Sequence, residues 1–345
     1  MYNGHGDNMQ TATIKDVAKH AGLSMATVSK YLNGIKVQDK NKAAIDAAIS
    51  ALGYSVNELA RGLRTGLSNI IGVVIPELNS AFATAILSLV DDILFEQGYS
   101  IIVGDCRADI EREARTVQTL LTRQVDGIIN MPSDIQGRHL LPAIERNIPI
   151  VLIDRTIPSA SEYVNAVLVD NRAASEAATQ LLIDAGHRDI GIIVGPQHVE
   201  PFQQRLQGYL QAMEKNNVPV RDEYIKMADR SITEKGYERA MELLQMKNRP
   251  TALFAANHYM TLGAVMALSD MRLAIPQDVA LMAYDDLPAT RVIKPKLTLV
   301  AQPLESIARE IADVMLQAIE AKRENKSPKA VVKVLRAEIR HGESI

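Results

Sequence analysis

The chain has little of what marks an exported, disulfide-bonded or membrane-inserted protein. Cys106 is the single cysteine among 345 residues, so no disulfide can close within the chain, and a reducing cytoplasm fits this cysteine usage. No apolar run approaches the roughly 18 residues that a membrane-spanning helix needs. Residues 1–11 are largely polar and lack the apolar stretch of a signal peptide, so we expect a disordered leader there.

The sequence also lacks the motifs of common enzyme classes. It contains no Walker loop, no dinucleotide-binding glycine fingerprint, no nucleophile elbow and no spacing typical of metal ligands. Asp170 and the pair Asp285-Asp286 are acids without an evident partner for acid–base catalysis. We therefore predict a protein that is not an enzyme and that carries neither a cofactor nor a metal ion.

Basic charge is concentrated near the amino terminus. Residues 11–68 carry eight Lys/Arg and four Asp/Glu, a net +4, whereas the leader is −1 and the remainder from residue 69 on is −6, within a total of −3. A basic segment joined to an acidic body is typical of a protein that binds nucleic acid with one end. Chance scatter can produce the same asymmetry, so the motifs in this segment decide its meaning.

Residues 13–33 have the pattern of two short helices joined by a tight turn. Thr13 and Ser24 are placed to cap the two helices, and Gly22 is placed to end the first. Apolar residues of the first helix recur at the i, i+3, i+4, i+7 spacing of one face: Ile14, Val17, Ala18 and Ala21. An ordinary helical hairpin has the same spacing, so this pattern alone leaves both interpretations open.

The second of these helices has one apolar edge and one small, polar face. Val28 and Leu32 form the edge that we expect to be buried. The other face carries Met25, Ala26, Thr27, Ser29 and Lys30. Such a face fits the major groove of DNA, where hydroxyl groups bind phosphates and a cation binds a base edge.

A third helix and the segment after it complete a recognisable arrangement. The third helix has Ile45, Ala48, Ile49 and Leu52 on one face and ends at Gly53. From about residue 12 on, the chain resembles the lactose-repressor/galactose-repressor family of bacterial transcription regulators. The residues that carry the resemblance are Ile14-Lys-Asp-Val-Ala18, Ala21-Gly22, Ser24, Thr27-Val28-Ser29, Asn33, Leu52-Gly53-Tyr54, Asn57, Leu59-Ala60-Arg61 and Leu63.

The resemblance implies a helix-turn-helix DNA-binding domain over residues 12–55 and a hinge helix with its linker over residues 56–68. It implies a transcriptional repressor that binds double-stranded, pseudo-palindromic operator DNA as a homodimer. The implied DNA contacts are Thr13, Ser24, Met25, Ala26, Thr27, Ser29, Lys30, Asn33, Asn57, Ala60 and Leu63. Lys30 replaces the arginine that is common in the family, and lysine offers a point donor in place of a planar fork.

The hinge is too short to be a stable helix by itself. Isolated helices under about 12 residues are marginal in water, and Gly62 costs roughly a further 1 kcal/mol relative to alanine. We therefore expect residues 57–64 to become helical only on DNA. Leu63 matches the family's leucine that is inserted between base pairs, and packing against Leu59 is the alternative.

From residue 69 on, short β-branched runs alternate with helical stretches. This alternation predicts an α/β body of parallel sheets flanked by helices. The resemblance implies a two-subdomain body of the periplasmic-binding-protein type I, in which the chain crosses between subdomains near residues 158–166, 293–298 and 325–331. The expected N-subdomain is about 69–160 and 298–325, and the expected C-subdomain is about 166–293 and 331–345.

Polar residues just after the predicted strands indicate a ligand site in the cleft between the subdomains, because ligands bind outside the carboxyl ends of parallel strands. Carboxylates and amides bind the hydroxyl groups of sugars, and arginine clamps anionic groups. Taken singly, each such residue could equally be a loop charge or a helix cap. The predicted effector site consists of Phe82, Asp154, Arg155, Arg205, Asn257, His258, Asp285 and Gln302.

Several positions depart from the family pattern and bear on the effector. His258 stands where the family most often has an acid, Leu304 is aliphatic where some sugar-binding members have an aromatic residue, and tryptophan is absent. Arg155 and Arg205 favour an acidic sugar or a sugar phosphate, while a neutral pentose or polyol stays open. We expect the effector to act allosterically, by shifting the subdomains and changing DNA affinity.

Two other functions stay open at this stage. A solute-binding protein for transport shares the two-lobed body, although the missing export signal and the N-terminal module oppose this function. A DNA-binding regulator could also respond to a protein corepressor in place of a small molecule. No leucine-rich heptad tail follows Ile339, which favours a dimer over a tetramer.

Overall fold

The computed structural model describes residues 12–32, 35–54, 67–326 and 328–345. The chain divides into two compact units, Met1–Ser68 and Asn69–Ile345, which we call the N-terminal unit and the body. Among the described residues, no helix is both long enough and apolar enough to cross a membrane.

Short helices form the described part of the N-terminal unit: α1 (Ile14–Ala21), α2 (Met25–Leu32) and α3 (Asp39–Leu52). Their shared core consists of Val17, Ala18, Val28, Ile45 and Ala48. All five are among the apolar positions that the helical spacing predicts to be buried. The other predicted positions are partly buried and pack against this core: Ile14, Ala21, Leu32, Ile49 and Leu52. A core of this size is small, so the caps that fix the helix ends matter for the stability of the unit.

The caps of α1 lie where the sequence predicts them. The Thr13 hydroxyl accepts a hydrogen bond from the Asp16 N–H at 3.4 Å, and Asp16 Oδ2 accepts one from the Thr13 N–H at 2.9 Å. This reciprocal pair is a capping box. Gly22 ends the helix with φ +65°, a left-handed conformation that glycine adopts without strain.

The body alternates strands and helices along the chain. Its first part contains β1 (Ile70–Ile75), α4 (Ala81–Glu96), β2 (Ser100–Asp105), α5 (Ile110–Thr122), β3 (Gly127–Asn130), α6 (Leu141–Glu145), β4 (Ile150–Ile153), β5 (Asn165–Val169) and α7 (Asn171–Asp184). Its second part contains β6 (Ile190–Val194), α8 (Glu200–Lys215), β7 (Ile225–Met227), α9 (Thr233–Leu244), β8 (Ala252–Ala255), α10 (His258–Asp270), β9 (Ala280–Tyr284), α11 (Pro288–Arg291), β10 (Thr298–Ala301), α12 (Leu304–Arg323), β11 (Val332–Leu335) and β12 (Glu338–Arg340).

Two sheets form the centre of the body. Within the described ranges, their strand orders are β11-β5-β4-β3-β1-β2 and β12-β10-β9-β8-β6-β7. Neighbouring strands are parallel except for β10 and β12, which are antiparallel. Helices α7 and α8 pack on one face of the second sheet and α9 and α10 on the other, so its central strands are buried on both sides. The predicted α/β architecture is thereby confirmed.

The chain passes between the sheets later than predicted at all three places. β5 pairs with β4 and β11, so residues 165–169 belong to the N-subdomain, whereas the prediction ended that part near residue 160. β10 belongs to the second sheet and β11 to the first, which reverses both predicted assignments. The crossings therefore follow β5, β10 and β11 directly. The prediction failed because buried strands of both sheets have the same apolar pattern, and that pattern does not specify the pairing partner.

The crossings and strand ends place polar residues at the cleft. Gln302 follows β10 at one crossing, and Asn171 begins α7 after another. Asp154 follows β4 and Asp285 follows β9, and both have a left-handed backbone, with φ of +66° and +75°. Few residues other than glycine adopt this conformation, and aspartate is among those that tolerate it.

Candidate functional site

The face of α2 that the sequence assigns to DNA is exposed in the structure. Met25 is 53% exposed, Ala26 and Lys30 are also exposed, and Val28 on the opposite side is buried. Ser29 has intermediate exposure between these two faces. A helix that presents small and basic side chains on one side and is anchored by the other can enter a DNA groove.

Two hydroxyl groups at the start of α2 bind each other and the backbone. The Ser24 hydroxyl accepts a hydrogen bond from the Thr27 N–H at 3.2 Å and lies 2.9 Å from the Thr27 hydroxyl. These bonds fix the point at which α2 begins, so both residues orient the helix in addition to any phosphate contact. Thr13, a further predicted DNA contact, is exposed at the start of α1. The remaining predicted contacts lie outside the described residues: Asn33, Asn57, Ala60 and Leu63.

The body contains a cavity of about 240 Å³ at the carboxyl ends of strands from both sheets. All the residues that the sequence assigns to the effector line this cavity: Phe82, Asp154, Arg155, Arg205, Asn257, His258, Asp285 and Gln302. They come from different strand ends and helices, and the fold brings them together. The volume is close to the lower end of the roughly 300–1,000 Å³ typical of ligand pockets, so it suits a small ligand.

Arg205 is held mainly by the protein. It is 4% exposed, its Nε donates to Asn171 Oδ1 at 2.9 Å, and its Nη1 donates to the Ala256 carbonyl oxygen at 2.6 Å. The guanidinium carbon lies 3.7 Å from the centre of the Tyr284 ring, and the Tyr284 hydroxyl donates to the same Asn171 oxygen at 3.0 Å. Arg205 is therefore a buried anchor of the cavity wall. These bonds use Nε and one N–H group of Nη1, and the role of Arg205 as a ligand clamp stays a prediction.

Asp285 orients two neighbouring side chains. Its Oδ2 accepts hydrogen bonds from the backbone N–H of His258 at 3.1 Å and from the His258 ring nitrogen Nδ1 at 3.2 Å. Its Oδ1 accepts a hydrogen bond from Gln302 Nε2 at 2.7 Å. Burial alone raises the pKa of the Asp285 carboxyl group, but the hydrogen bond from His258 and the charge of Arg205 outweigh burial and bring the pKa below its usual 3.8. Asp285 is thus an ionised acceptor.

Asn257 acts as a helix cap, which is one of the two roles left open by the sequence. Its Oδ1 accepts a hydrogen bond from the Met260 N–H at 2.8 Å, and its Nδ2 donates to the Ser231 hydroxyl at 2.6 Å. The side chain therefore ties α10 to the loop that carries Ser231. Since both Asn257 and Ser231 line the cavity, this bond shapes the cavity wall.

Asp154 and Arg155 add one acid and one base to the cavity wall. Arg155 Nη1 donates to the Pro132 carbonyl oxygen at 2.7 Å. Burial raises the pKa of Asp154 above its usual 3.8, and the charges of Arg155 and Arg205 oppose that rise. Acids outnumber arginines around the cavity, with Glu77, Asp154, Asp229 and Asp285 against Arg155, Arg205 and Arg230. The lining as a whole is therefore not cationic.

Two residue pairs join the subdomains through hydrogen bonds beside the cavity, and the sequence analysis missed both pairs. Glu200 Oε2 accepts from the Thr156 N–H at 2.7 Å and from the Thr156 hydroxyl at 2.8 Å. The Tyr259 hydroxyl donates to the Asn79 carbonyl oxygen at 3.1 Å. An acid in the first turn of a helix is common because it complements the helix dipole, so Glu200 carries no sequence signal of a bridging role.

A buried polar cluster supports the loop after β3, which also lines the cavity. Glu113 is fully buried, and its carboxylate accepts from the N–H of Ser133 at 3.1 Å and of Asp134 at 3.0 Å. His139 Nε2 lies 3.4 Å from Glu113 Oε1 and 2.8 Å from Asn130 Nδ2. Burial lowers the pKa of His139, and the charges of Glu113 and Asp134 oppose this effect. Glu113 thus fixes the loop that forms part of the cavity wall, although Glu113 itself does not line the cavity.

Several buried polar atoms of the cavity wall have no hydrogen-bond partner among the described residues. They are Ser133 Oγ, Asp154 Oδ1, Arg155 Nε, His258 Nε2 and Gln302 Oε1. Buried polar atoms in folded proteins are nearly always hydrogen-bonded. Their concentration around one cavity marks it as a polar site, where a bound ligand or water can supply the missing partners.

Two family models match different parts of the chain. Residues 13–57 match the family described as bacterial regulatory proteins, lacI family, and residues 179–345 match the periplasmic binding protein-like domain. The HTH-type transcriptional repressor PurR of Photorhabdus laumondii is 34% identical over 317 residues, which cover 91% of this chain and 92% of that protein. The chain belongs to the LacI family. It is therefore a DNA-binding transcriptional regulator with an effector-binding body, as the sequence motifs predict.

Two solved structures of transcription regulators are similar to this chain. The transcriptional regulator CelR in complex with cellobiose is 29% identical, with a TM-score of 0.72, and the match covers 96% of this chain and 99% of CelR. The Lac repressor dimer bound to operator and the anti-inducer ONPF is 24% identical, with a TM-score of 0.85 over 97% of this chain and 99% of that one. The second likeness shows the shared fold. These three relatives are regulators or repressors of transcription.

Proposed function

We propose that the protein is a cytoplasmic transcriptional repressor that binds its operator as a homodimer and responds to a small sugar or sugar derivative in the body cavity. The observation that carries the proposal is the set of unpartnered polar atoms around that cavity. Hydroxyl groups both donate and accept hydrogen bonds, so a hydroxyl-rich ligand can satisfy such a set. The CelR–cellobiose complex supports this ligand class.

The α2 helix is the proposed reader of the operator. Met25, Ala26 and Lys30 are exposed on its outer face and would contact base edges, while Thr27 and Ser29 would set the register on phosphates. In a homodimer the two helices read two half-sites, which accounts for a pseudo-palindromic operator. Leu63 in the hinge would be inserted between base pairs in the minor groove.

Selection of bound sequences from a random duplex library tests the reading role of α2. The wild-type protein should recover a pseudo-palindrome, and Lys30→Met should change the preferred base at one position of each half-site. Lys42→Met, in which an exposed lysine of α3 is replaced, is the matched control and should recover the wild-type sequence. Recovery of one sequence by all three proteins would exclude Lys30 from base recognition.

The homodimer is supported by exposed apolar side chains on the body. Phe95 is 73% exposed and Met266 is 52% exposed, and burial in an interface would remove both from water. Sedimentation equilibrium should give twice the mass of the chain at micromolar concentration. A monomer that binds full-length operator with unchanged affinity would contradict this part of the proposal.

A thermal-shift screen tests the small-molecule effector. A ligand present at 100 times its dissociation constant should stabilise the body by about 2.7 kcal/mol. The panel contains neutral sugars, polyols, sugar acids, sugar phosphates and purines, and each hit is then tested for an effect on operator affinity. The alternative is a protein corepressor. It would be supported if no member of the panel stabilises the protein and operator affinity changes only when a protein from a cell extract is added.

A further inference from the structure

The Asp285 carboxylate faces three hydrogen-bond donors, and this arrangement bears on which ligand the proposed effector site accepts. Oδ2 lies 3.1 Å from the His258 backbone nitrogen and 3.2 Å from His258 Nδ1, and Oδ1 lies 2.7 Å from Gln302 Nε2. All three residues are less than 9% exposed, so water does not compete freely for these contacts. The inference drawn from this arrangement rests on the proposed function.

An ionised carboxylate only accepts hydrogen bonds, so the atoms that face it must carry hydrogens. His258 Nδ1 therefore carries the hydrogen that faces Asp285 Oδ2. Gln302 must likewise direct its NH₂ group to Asp285, which leaves Oε1 on the other side of the amide. Gln302 Oε1 is an acceptor, and it is buried without a partner among the described residues.

We infer that Asp285 sets the hydrogen-bonding polarity of the effector cavity at Gln302: it makes Gln302 present an acceptor, so the cavity selects a neutral, hydroxyl-donating sugar or polyol over the corresponding sugar acid or sugar phosphate. A hydroxyl group can donate to the Gln302 acceptor. A carboxylate or a phosphate dianion placed there has no hydrogen to donate, so buried lone pairs would face one another without compensation.

The remaining polar atoms of the cavity agree with this selection. Asp154 Oδ1 is a further buried oxygen without a hydrogen-bond partner. Among the described residues that line the cavity, Arg155 Nε is the one guanidinium nitrogen that is likewise buried without a partner. Arg155 Nη1 is engaged by the Pro132 carbonyl oxygen. Arg205 is engaged through Nε and Nη1. Acids also outnumber arginines in the cavity lining, so the lining offers an anionic ligand no excess of positive charge.

Asp285→Asn changes this polarity at one position while preserving shape. Asparagine tolerates the left-handed backbone of residue 285 at least as well as aspartate does. The backbone N–H of His258 still needs an acceptor, so the asparagine oxygen takes the place of Oδ2. Its NH₂ group then replaces Oδ1 opposite Gln302, and Gln302 must turn its amide over. The variant therefore presents Gln302 Nε2, a donor, to the cavity.

Titration calorimetry with matched neutral and anionic probes measures the selection. The pairs are D-glucose with D-glucuronate, D-galactose with D-galacturonate, and D-ribose with D-ribose 5-phosphate, each tested on the full-length protein. For at least one pair the wild type should bind the neutral member about tenfold or more tightly than the anionic one. In Asp285→Asn this ratio should fall by about tenfold or more, with the anionic member bound more tightly than by the wild type.

The double variant Asp285→Asn/Gln302→Leu separates amide polarity from loss of charge. If the turned Gln302 amide causes the gain for the anionic probe, leucine at position 302 removes that gain. A double variant that keeps the gain would show that the lost carboxylate charge is responsible, and would overturn the inference. The comparison is a double-mutant cycle, and it requires that circular dichroism shows each variant folded.

Gln302→Leu alone keeps the test valid if Asp285→Asn does not fold. This variant should weaken the neutral probe by about fivefold or more and leave the anionic probe no tighter than in the wild type. Unchanged affinity for the neutral probe would overturn the inference while the proposed function stands. A wild type that prefers the anionic member of every pair it binds would overturn the inference as well. A wild type that binds no probe at all would reject the sugar class, and both proposals would fail together.

Discussion

Replacement of Arg205 by alanine should destabilise the body strongly, because this arginine holds buried groups from three elements. Its guanidinium group bonds to Asn171 at the start of α7 and to the carbonyl oxygen of Ala256 after β8, and it lies 3.7 Å from the ring of Tyr284 in β9. Alanine removes all three contacts. It also leaves the Ala256 carbonyl oxygen buried without this donor.

The expected loss follows from these contacts. Each hydrogen bond from a charged group contributes about 1.5–3 kcal/mol, and a desolvated cation–π contact contributes about 2 kcal/mol. Relief of the penalty for burying the guanidinium group offsets part of that sum. We expect the free energy of unfolding of the body to fall by about 3–5 kcal/mol. At about 2–4 °C per kcal/mol for a domain of this size, Tm should fall by roughly 6–20 °C.

Differential scanning calorimetry of the full-length protein measures this change as a shift of the transition of the body. Arg291→Ala is the matched control, since Arg291 donates to Asp286 at 2.9 Å but its side chain is 64% exposed. That substitution should change stability by less than about 0.5 kcal/mol. If Arg205→Ala shifts Tm no more than Arg291→Ala does and still abolishes ligand binding, Arg205 is a ligand clamp and its role as a buried anchor is refuted.

Two further predictions concern packing and pH. Gly208→Ala should lower the free energy of unfolding by about 1–3 kcal/mol, measured by chemical denaturation. The reason is that a Cβ atom at this position would lie 2.2 Å from the backbone oxygen of Arg172 and 2.8 Å from the backbone nitrogen of Glu176. Replacement of the exposed Gln207 by alanine is the control, and equal stability of the two variants would refute the close helix contact. Burial lowers the pKa of His139 below its usual 6.5, so the unfolded chain binds this proton more readily than the folded one, and stability falls as pH drops from about 6.5. His139→Gln should therefore reduce the fall in Tm between pH 7 and pH 5. Parallel plots of Tm against pH for the variant and the wild type would contradict this role of His139.

The cavity residues could be predicted from sequence because strand ends are visible in it. Short apolar runs locate the buried strands, and parallel topology gathers whatever follows their carboxyl ends. Asp154, Asn257 and Asp285 each follow such a run closely. Their assignment to one cavity therefore needed no knowledge of which strand pairs with which.

The roles of the same residues depended on contacts that no sequence pattern contains. Arg205 was predicted as a ligand clamp and is engaged by Asn171, 34 positions away. Asn257 turned out to be a helix cap. Glu113 gave a weak signal, as an acid on the apolar face of α5, but its partner loop could be identified only from the fold. Side-chain spacing shows which residues share an element, and it does not show which distant groups satisfy their hydrogen bonds.

By itself, the sequence determined the elements of this protein. Caps, helical periodicity and β-branched runs depend on interactions within a few residues, so they specified the short helices of the N-terminal unit and the alternating α/β body. The tertiary structure alone decided the sheet to which β5, β10 and β11 belong, since both sheets bury strands of equal apolarity. It also decided the polarity of the cavity, because that property depends on which atoms of Asp285, His258 and Gln302 face one another across 27 and 17 residues of chain.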